Sequence, residues 1–302
     1  MERKLNTAFR FARAALRRLY PLVLAIGLAH AAPCHAAQPQ TIYYNTGNSV
    51  PAEKTFDFRV LKLALSKSGK AYRLAPSPLG PATEPRVIEA MVSGQKLDVA
   101  WLGASADADD KLAPVLIPID RGLLGYRLLL IDGARQAEFS RIRNLADLRA
   151  LSMLQGKGWP DVAVLRHAGL KVRTGKYRDL FRMLMAGRAD DFPRGANEIF
   201  GEQPSNLAGA PGLAIEKTLV LHYTFTSLFY VQKTNTILHD DLYRGFLRAI
   251  DDGSYEALFR SDPAIRVALT QANLKSRRLI EIDNPYLSPE TRSIAPRFWF
   301  KP

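Results

Sequence analysis

Residues 151–172 read LSMLQGKGWPDVAVLRHAGLKV. The apolar run Leu151–Leu154 predicts a strand, Gln155–Trp159 a tight loop, and Pro160 the opening of a helix that Gly169 ends before a new strand at Leu170–Val172. Gly156 and Gly158 allow a sharp turn and bring backbone N–H groups close to a bound group. Pro160 suits a first helical position, and Asp161 lies in the first turn, where negative charge is favoured. A strand, a glycine loop and a helix N-terminus can cradle a small ligand, because the first N–H groups of a helix lack partners. The same pattern also serves as an ordinary strand-to-helix connection.

Outward from this stretch, the helix Leu145–Arg149, capped by Asn144, precedes it. The helix Tyr177–Ala186 and a short strand, Asp190–Arg194, follow. A series of similar rhythm opens the chain: strand Thr41–Tyr44, loop Asn45–Pro51, helix Phe56–Ser68, strand Tyr72–Ala75, helix Arg86–Val92 and strand Leu97–Leu102. Val115–Ile119 and Gly125–Ile131 read as two more strands. Beyond the Gly/Pro-rich Gly201–Gly212, Leu219–Val231 is extended and Leu242–Ile250 and Tyr255–Phe259 are helical. The tail Ile280–Pro302, rich in proline and aromatics, is expected to wrap the surface. Two such α/β series imply two lobes sharing a cleft, with ligands beyond the carboxyl ends of the strands.

The first residues form an export signal. Arg3, Lys4, Arg10, Arg13, Arg17 and Arg18 make a positive start, Leu19–Leu28 is an apolar core too short for a lone membrane span, and Cys34-His35-Ala36 leads to a small-residue cleavage site. Residues 1–36 are therefore expected to be removed and the protein to be periplasmic; Ala31-Ala32-Pro33 does not suit a lipidated Cys34. Removal takes six basic residues and one acid, so the formal +13 falls by 5 to +8. That charge is spread along the chain, which argues against nucleic acid as a partner. The one cysteine leaves with the signal, which excludes disulfides, thiolate metal sites and cysteine nucleophiles. About 265 residues remain, enough for two lobes of ordinary size.

In several stretches the chain resembles periplasmic solute-binding proteins of amino-acid ABC transporters. These are the helix Phe56–Gly69, Leu97–Trp101 as a "DV" strand, Leu154-Gln155-Gly156, Gly187-Arg188-Ala189-Asp190, and Leu228–Lys233 followed by Leu242–Phe259 with its DDGSYEAL closing helix pair. The resemblance implies a two-lobed, periplasmic-binding-protein-like II architecture that hinges shut over one ligand, each lobe a mixed, mainly parallel sheet flanked by helices. It places lobe 1 at 37–125 and 226–302 and lobe 2 at 126–225, with crossings near Gly125–Arg127 and Tyr223–Ser227. The family's carboxylate-binding arginine has no counterpart in Asp107-Ala108-Asp109-Asp110. Its amino-group aspartate is replaced by Phe192-Pro193-Arg194-Gly195, and its Gly-Thr or Gly-Ser by Gly156-Lys157. These departures imply that an ordinary α-amino acid is not the ligand.

Lys157 and Arg194, beside the helix at Pro160, are the candidate anion site. Trp101 and Trp159 are aromatic candidates, Trp159 the stronger because it lies in the loop itself. Arg127 either reaches the ligand or ties the hinge to Glu198. Asn45, Thr46, Ser105 and Tyr223 offer small polar contacts; Gly156, Gly158 and Asp161 complete the expected site. The histidines His30, His35, His167, His222 and His239 lack metal-ligand spacing, so no metal or cofactor is expected. The function these residues support is an extracytoplasmic binding protein for a small polar or anionic solute. It would act as a monomer and serve an ABC-type permease or a sensor kinase. The alternative is a periplasmic enzyme on the same fold, like a cyclohexadienyl dehydratase, with Glu198 or Asp161 as its acid or base. A dry, isolated carboxylate in the cleft would favour that alternative.

Overall fold

The computed structural model describes residues 38–46 and 51–302. The expected export signal and its cleavage site lie outside the described residues. The chain forms two sheets, each flanked by helices.

The first lobe is built on β1 (Gln40–Tyr44), β2 (Tyr72–Pro76), β3 (Val99–Gly103), β4 (Ala113–Val115) and a later strand, β11 (Ser227–Val231), in the order β2-β1-β3-β11-β4. β1 runs parallel to β2 and β3, whereas β11 is antiparallel to both β3 and β4. Helices α1 (Phe56–Ser66), α2 (Glu84–Val92) and α3 (Ala106–Lys111) follow β1, β2 and β3. Thr55 starts α1 by accepting the Phe58 N–H on its hydroxyl, and Val60, Leu61, Ala64 and Leu65 turn its apolar face inward. α9 (Thr236–Asp251) crosses it so closely that a Cβ at Gly245 would meet the Ala64 carbonyl oxygen at 2.0 Å.

The second lobe repeats the plan. β5 (Tyr126–Asp132), β6 (Ser152–Gly156), β7 (Lys171–Gly175), β8 (Asp191–Gly195) and β10 (Leu219–His222) lie in the order β10-β5-β8-β6-β7, with β9 (Leu213–Ile215) paired to β5. The order β7-β6-β8 is parallel and β5 is antiparallel to β8, matching β2-β1-β3-β11 of the first lobe. Helices α4 (Gln136–Phe139), α5 (Leu145–Arg149), α6 (Asp161–His167), α7 (Tyr177–Met185) and α8 (Ile199–Asn206) accompany these strands.

The tail departs from the expected division. α10 (Ser254–Ser261) packs in the first lobe, but α11 (Pro263–Gln271) puts Ile265 into that lobe's core and Ala268 and Ala272 into the second lobe's. β12 (Arg278–Glu281) then extends the second sheet parallel to β10, so residues 226–302 do not all belong to the first lobe. The chain returns through Asn284 and Tyr286, and α12 (Pro289–Arg292) settles against α3 through Ser288 and Thr291, which both donate to Asp109.

Candidate functional site

The opening stretch folds as its glycines dictate, and several of its donors are taken up within it. β6 ends at Gly156, and Gly158 takes φ +86°, a turn open to glycine. Gly156 also lies against the Trp159 ring, where a Cβ would come within 2.3 Å. The Trp159 N–H donates to the Gly156 carbonyl, Val162 N–H to Trp159, and Ala163 N–H to Pro160. Part of the loop and the first helical turn thus closes on itself.

Arg194 is spent as well. Its guanidinium is buried, gives Nε and Nη2 to Glu202 at 2.6 and 2.7 Å, and lies 3.0 Å from Glu198. Burial works against its charge, but Glu198 and Glu202 outweigh that and raise its pKa above the ordinary arginine value. It stacks 4.6 Å from the Trp159 ring centroid, which accounts for that tryptophan's place in the loop. Lys157 is exposed and does not line the cavity described below. The anion cradle expected from Lys157, Arg194 and the helix start is therefore not assembled. The arginine's neighbour at 202 lies in a helix that the glycine- and proline-rich sequence conceals.

A second buried network sits at the hinge. Arg127 lies 2.9 Å from Asp161 and 3.9 Å from Glu198, between the rings of Tyr223 and Phe225. The Tyr223 hydroxyl donates to Asp161 at 3.1 Å, and Gln155 reaches the same carboxylate at 3.4 Å. Arg127, Asp161 and Tyr223 are thus mutually engaged within the second lobe. Of the polar loop residues, Asn45 accepts the Trp101 N–H at 3.3 Å and holds its own lobe together. Trp101 stacks on Tyr44 at 6.3 Å. Thr46 keeps a buried hydroxyl without a partner among the described residues.

The lobes meet above this floor. Pro160 of the second lobe lies against Gly103 of the first, where a Cβ would be 2.9 Å from its Cγ, and Pro85 lies against Gly158. Beside these contacts is a cavity of about 220 Å³ with walls from both lobes and from the tail. Of the residues expected at the site, Ser105 and Gly158 line it; Glu84, Ala104, Phe225 and Tyr286 line it too, and the sequence reading did not single them out. The one cue was Thr83-Glu84-Pro85, a helix start hidden in a proline-rich loop.

Carboxylates gather here. Burial, then the charge of Asp161, pushes Glu84 up to about 8. Burial, then Asp120, pushes Asp57 up to about 7. Burial also raises Glu198. Among the described residues no group of three or more His, Cys, Asp or Glu side chains is arranged to hold a metal ion.

No protein-family model matches the sequence, and no curated protein matches it as a relative. Solved structures do match. An ancestral arginine-binding protein bound to arginine aligns at 19% identity over 74% of this chain and 98% of its own, with a TM-score of 0.55. The GluR0 ligand-binding core of Nostoc punctiforme, in complex with L-glutamate, aligns at 14% identity over 75% and 100%, with a TM-score of 0.54. An ancestral amino-acid-binding protein described as a precursor of cyclohexadienyl dehydratase aligns at 15% identity over 74% and 94%, with a TM-score of 0.51. The fold is therefore that of the two-lobed type II periplasmic binding proteins.

Proposed function

We propose that this chain is an extracytoplasmic solute-binding protein that closes its two lobes over one small polar solute and presents it to an ABC-type permease or a sensor. One observation carries the reading: a cavity of about 220 Å³ whose walls come from both lobes, at the point where Pro160 meets Gly103. A ligand held there touches both lobes at once, so it binds the closed form better than the open one, which is what drives closure. The fold's solved neighbours include proteins bound to arginine and glutamate, and the basic, apolar start of the sequence supports export. The test is a thermal-shift screen of the chain from Ala37 against a metabolite library, followed by X-ray scattering. A solute that raises the melting temperature and reduces the radius of gyration supports the reading, whereas turnover of the solute would replace it.

A second reading, an enzyme on the same fold, draws on Glu84. A carboxyl raised to about 8 in an apolar cavity has the pKa of a general acid at neutral pH. It is the isolated carboxylate that this alternative calls for, but among the described residues no free second acid or base lines the cavity with it, because Asp107 pairs with Lys111. Binding is therefore the preferred function.

A further inference from the structure

Glu84 opens α2 and lines the cavity. Among the described residues it has no ion-pair partner, and no lysine, arginine or histidine lines the cavity. Arg127 and Arg194 are already taken up by Asp161, Glu198 and Glu202. The charged and amide groups elsewhere on the wall are engaged too. Asp107 pairs with Lys111, while Asn284 donates to the Thr224 carbonyl and accepts the Tyr286 N–H. Besides the Ser105 and Tyr286 hydroxyls, what remains is apolar: Pro85, Ile88, Ala104, Pro160, Val164 and Phe225.

We propose that this cavity takes a small organic monocation, an amine with a compact apolar body and no carboxylate, and that Glu84 is its counter-ion. The proposal rests on the solute-binding reading and names the class of its solute. A carboxylate withdrawn from water is costly unless it is paired, and the protein supplies no pair for Glu84. An anionic ligand would add a further negative charge opposite Glu84 and Asp161 with no cation in the wall to meet it. An α-amino acid would satisfy Glu84 through its ammonium group and leave its own carboxylate stranded. At about 30 Å³ per water the cavity holds roughly seven waters, which suits a single ring or a short branched chain. The high pKa of Glu84 fits this arrangement: in the empty cavity a proton does what the bound cation does when it arrives.

The experiment is calorimetric titration with three probes of one shape and different charge: cyclohexylamine, cyclohexanol and cyclohexanecarboxylate. It is run at about pH 8.5, where the amine and Glu84 are both charged. The amine is expected to bind at least about tenfold more tightly than the alcohol, and the carboxylate not at all. Glu84→Gln should cost the amine roughly ten- to a hundredfold in affinity and leave the alcohol unchanged. Ala163→Leu, which fills the cavity from α6 without touching its charge, should remove binding of both. Equal binding of the carboxylate, amine affinity unmoved in either variant, or no binding by any probe would overturn the proposal. In those cases a library solute of another charge that compacts the protein keeps the solute-binding reading alive. If no solute of any charge compacts it, that reading falls too.

Discussion

Arg194 and Glu202 form a two-pronged ion pair, with guanidinium Nε and Nη2 at 2.6 and 2.7 Å from the two carboxylate oxygens and the arginine 4% exposed. Removing one partner of such a pair strands the other charge away from water. Arg194→Met is therefore expected to destabilise the protein by about 3–5 kcal/mol, whereas Lys157→Met on the exposed loop should stay within about 0.5 kcal/mol. Urea denaturation of both variants checks this; equal midpoints would mean that Arg194 is not held as the distances indicate.

The same pair shows what the sequence made legible and what it did not. Gly156, Gly158, Pro160 and Asp161 specify a strand, a turn and a helix through local backbone preferences, and that unit forms as read. The two α/β series follow from the repeated rhythm of strands and helices, but the antiparallel places of β11 and β5 in the sheets do not. The charge at the site did not follow, because it depends on residues brought together from a distance. Arg194 reads as a free cation until α8, concealed by Gly201 and Pro204, delivers Glu202. Glu84 reads as a loop residue until Pro160 and Asp161 arrive opposite it from the other lobe. α3 escaped notice for a related reason: its acidic stretch has no apolar face, and it is fixed by Ser105, Lys111 and the tail hydroxyls on Asp109.

The cleft carboxylates make stability depend on pH in a stated direction. Asp57 rises from an ordinary 3.8 to about 7 and Glu84 from 4.5 to about 8, so the folded chain binds both protons more tightly than the unfolded one. Their stabilising contribution is complete below about pH 4 and is lost as pH rises through 7 and 8. Asp57 faces Asp120, Glu198 and Asp262; Glu84 faces Asp161 and Glu198, so neither is relieved by a cation of its own. The ligand-free protein should lose denaturation midpoint between about pH 5 and 8.5, and the double variant Asp57→Asn, Glu84→Gln should flatten that slope. An unchanged slope in the double variant would place the titration elsewhere.

Asp191 is a separate cost inside the second sheet. It is fully buried on β8, neither carboxyl oxygen has a hydrogen-bond partner among the described residues, and burial, then Asp190, raises its pKa well above the ordinary value. Holding such a group away from water without a partner costs folding free energy. Asp191→Ala should therefore raise stability by about 1–2 kcal/mol at neutral pH, the gain growing as pH rises. Melting curves at two pH values measure it, and a variant less stable than the parent at both would reveal a hidden partner for this carboxyl.

Gly103 sits where closure is tightest. It ends β3 without a positive φ, so alanine fits its backbone, but the added methyl would lie 2.7 Å from Phe225 Cζ and 2.9 Å from Pro160 Cγ. Phe225 is wedged under Arg127 and cannot turn away without disturbing the hinge network, so Pro160 and the second lobe must back off. Gly103→Ala is expected to hold the cleft ajar. It should weaken any cleft ligand by at least about tenfold, close to 1.4 kcal/mol, because part of the binding energy then goes into forcing the lobes together. X-ray scattering should show a larger radius of gyration for the variant and little further compaction on adding a solute that compacts the parent. A variant that closes and binds as the parent does would show that the Pro160–Gly103 contact does not limit how far the lobes can shut.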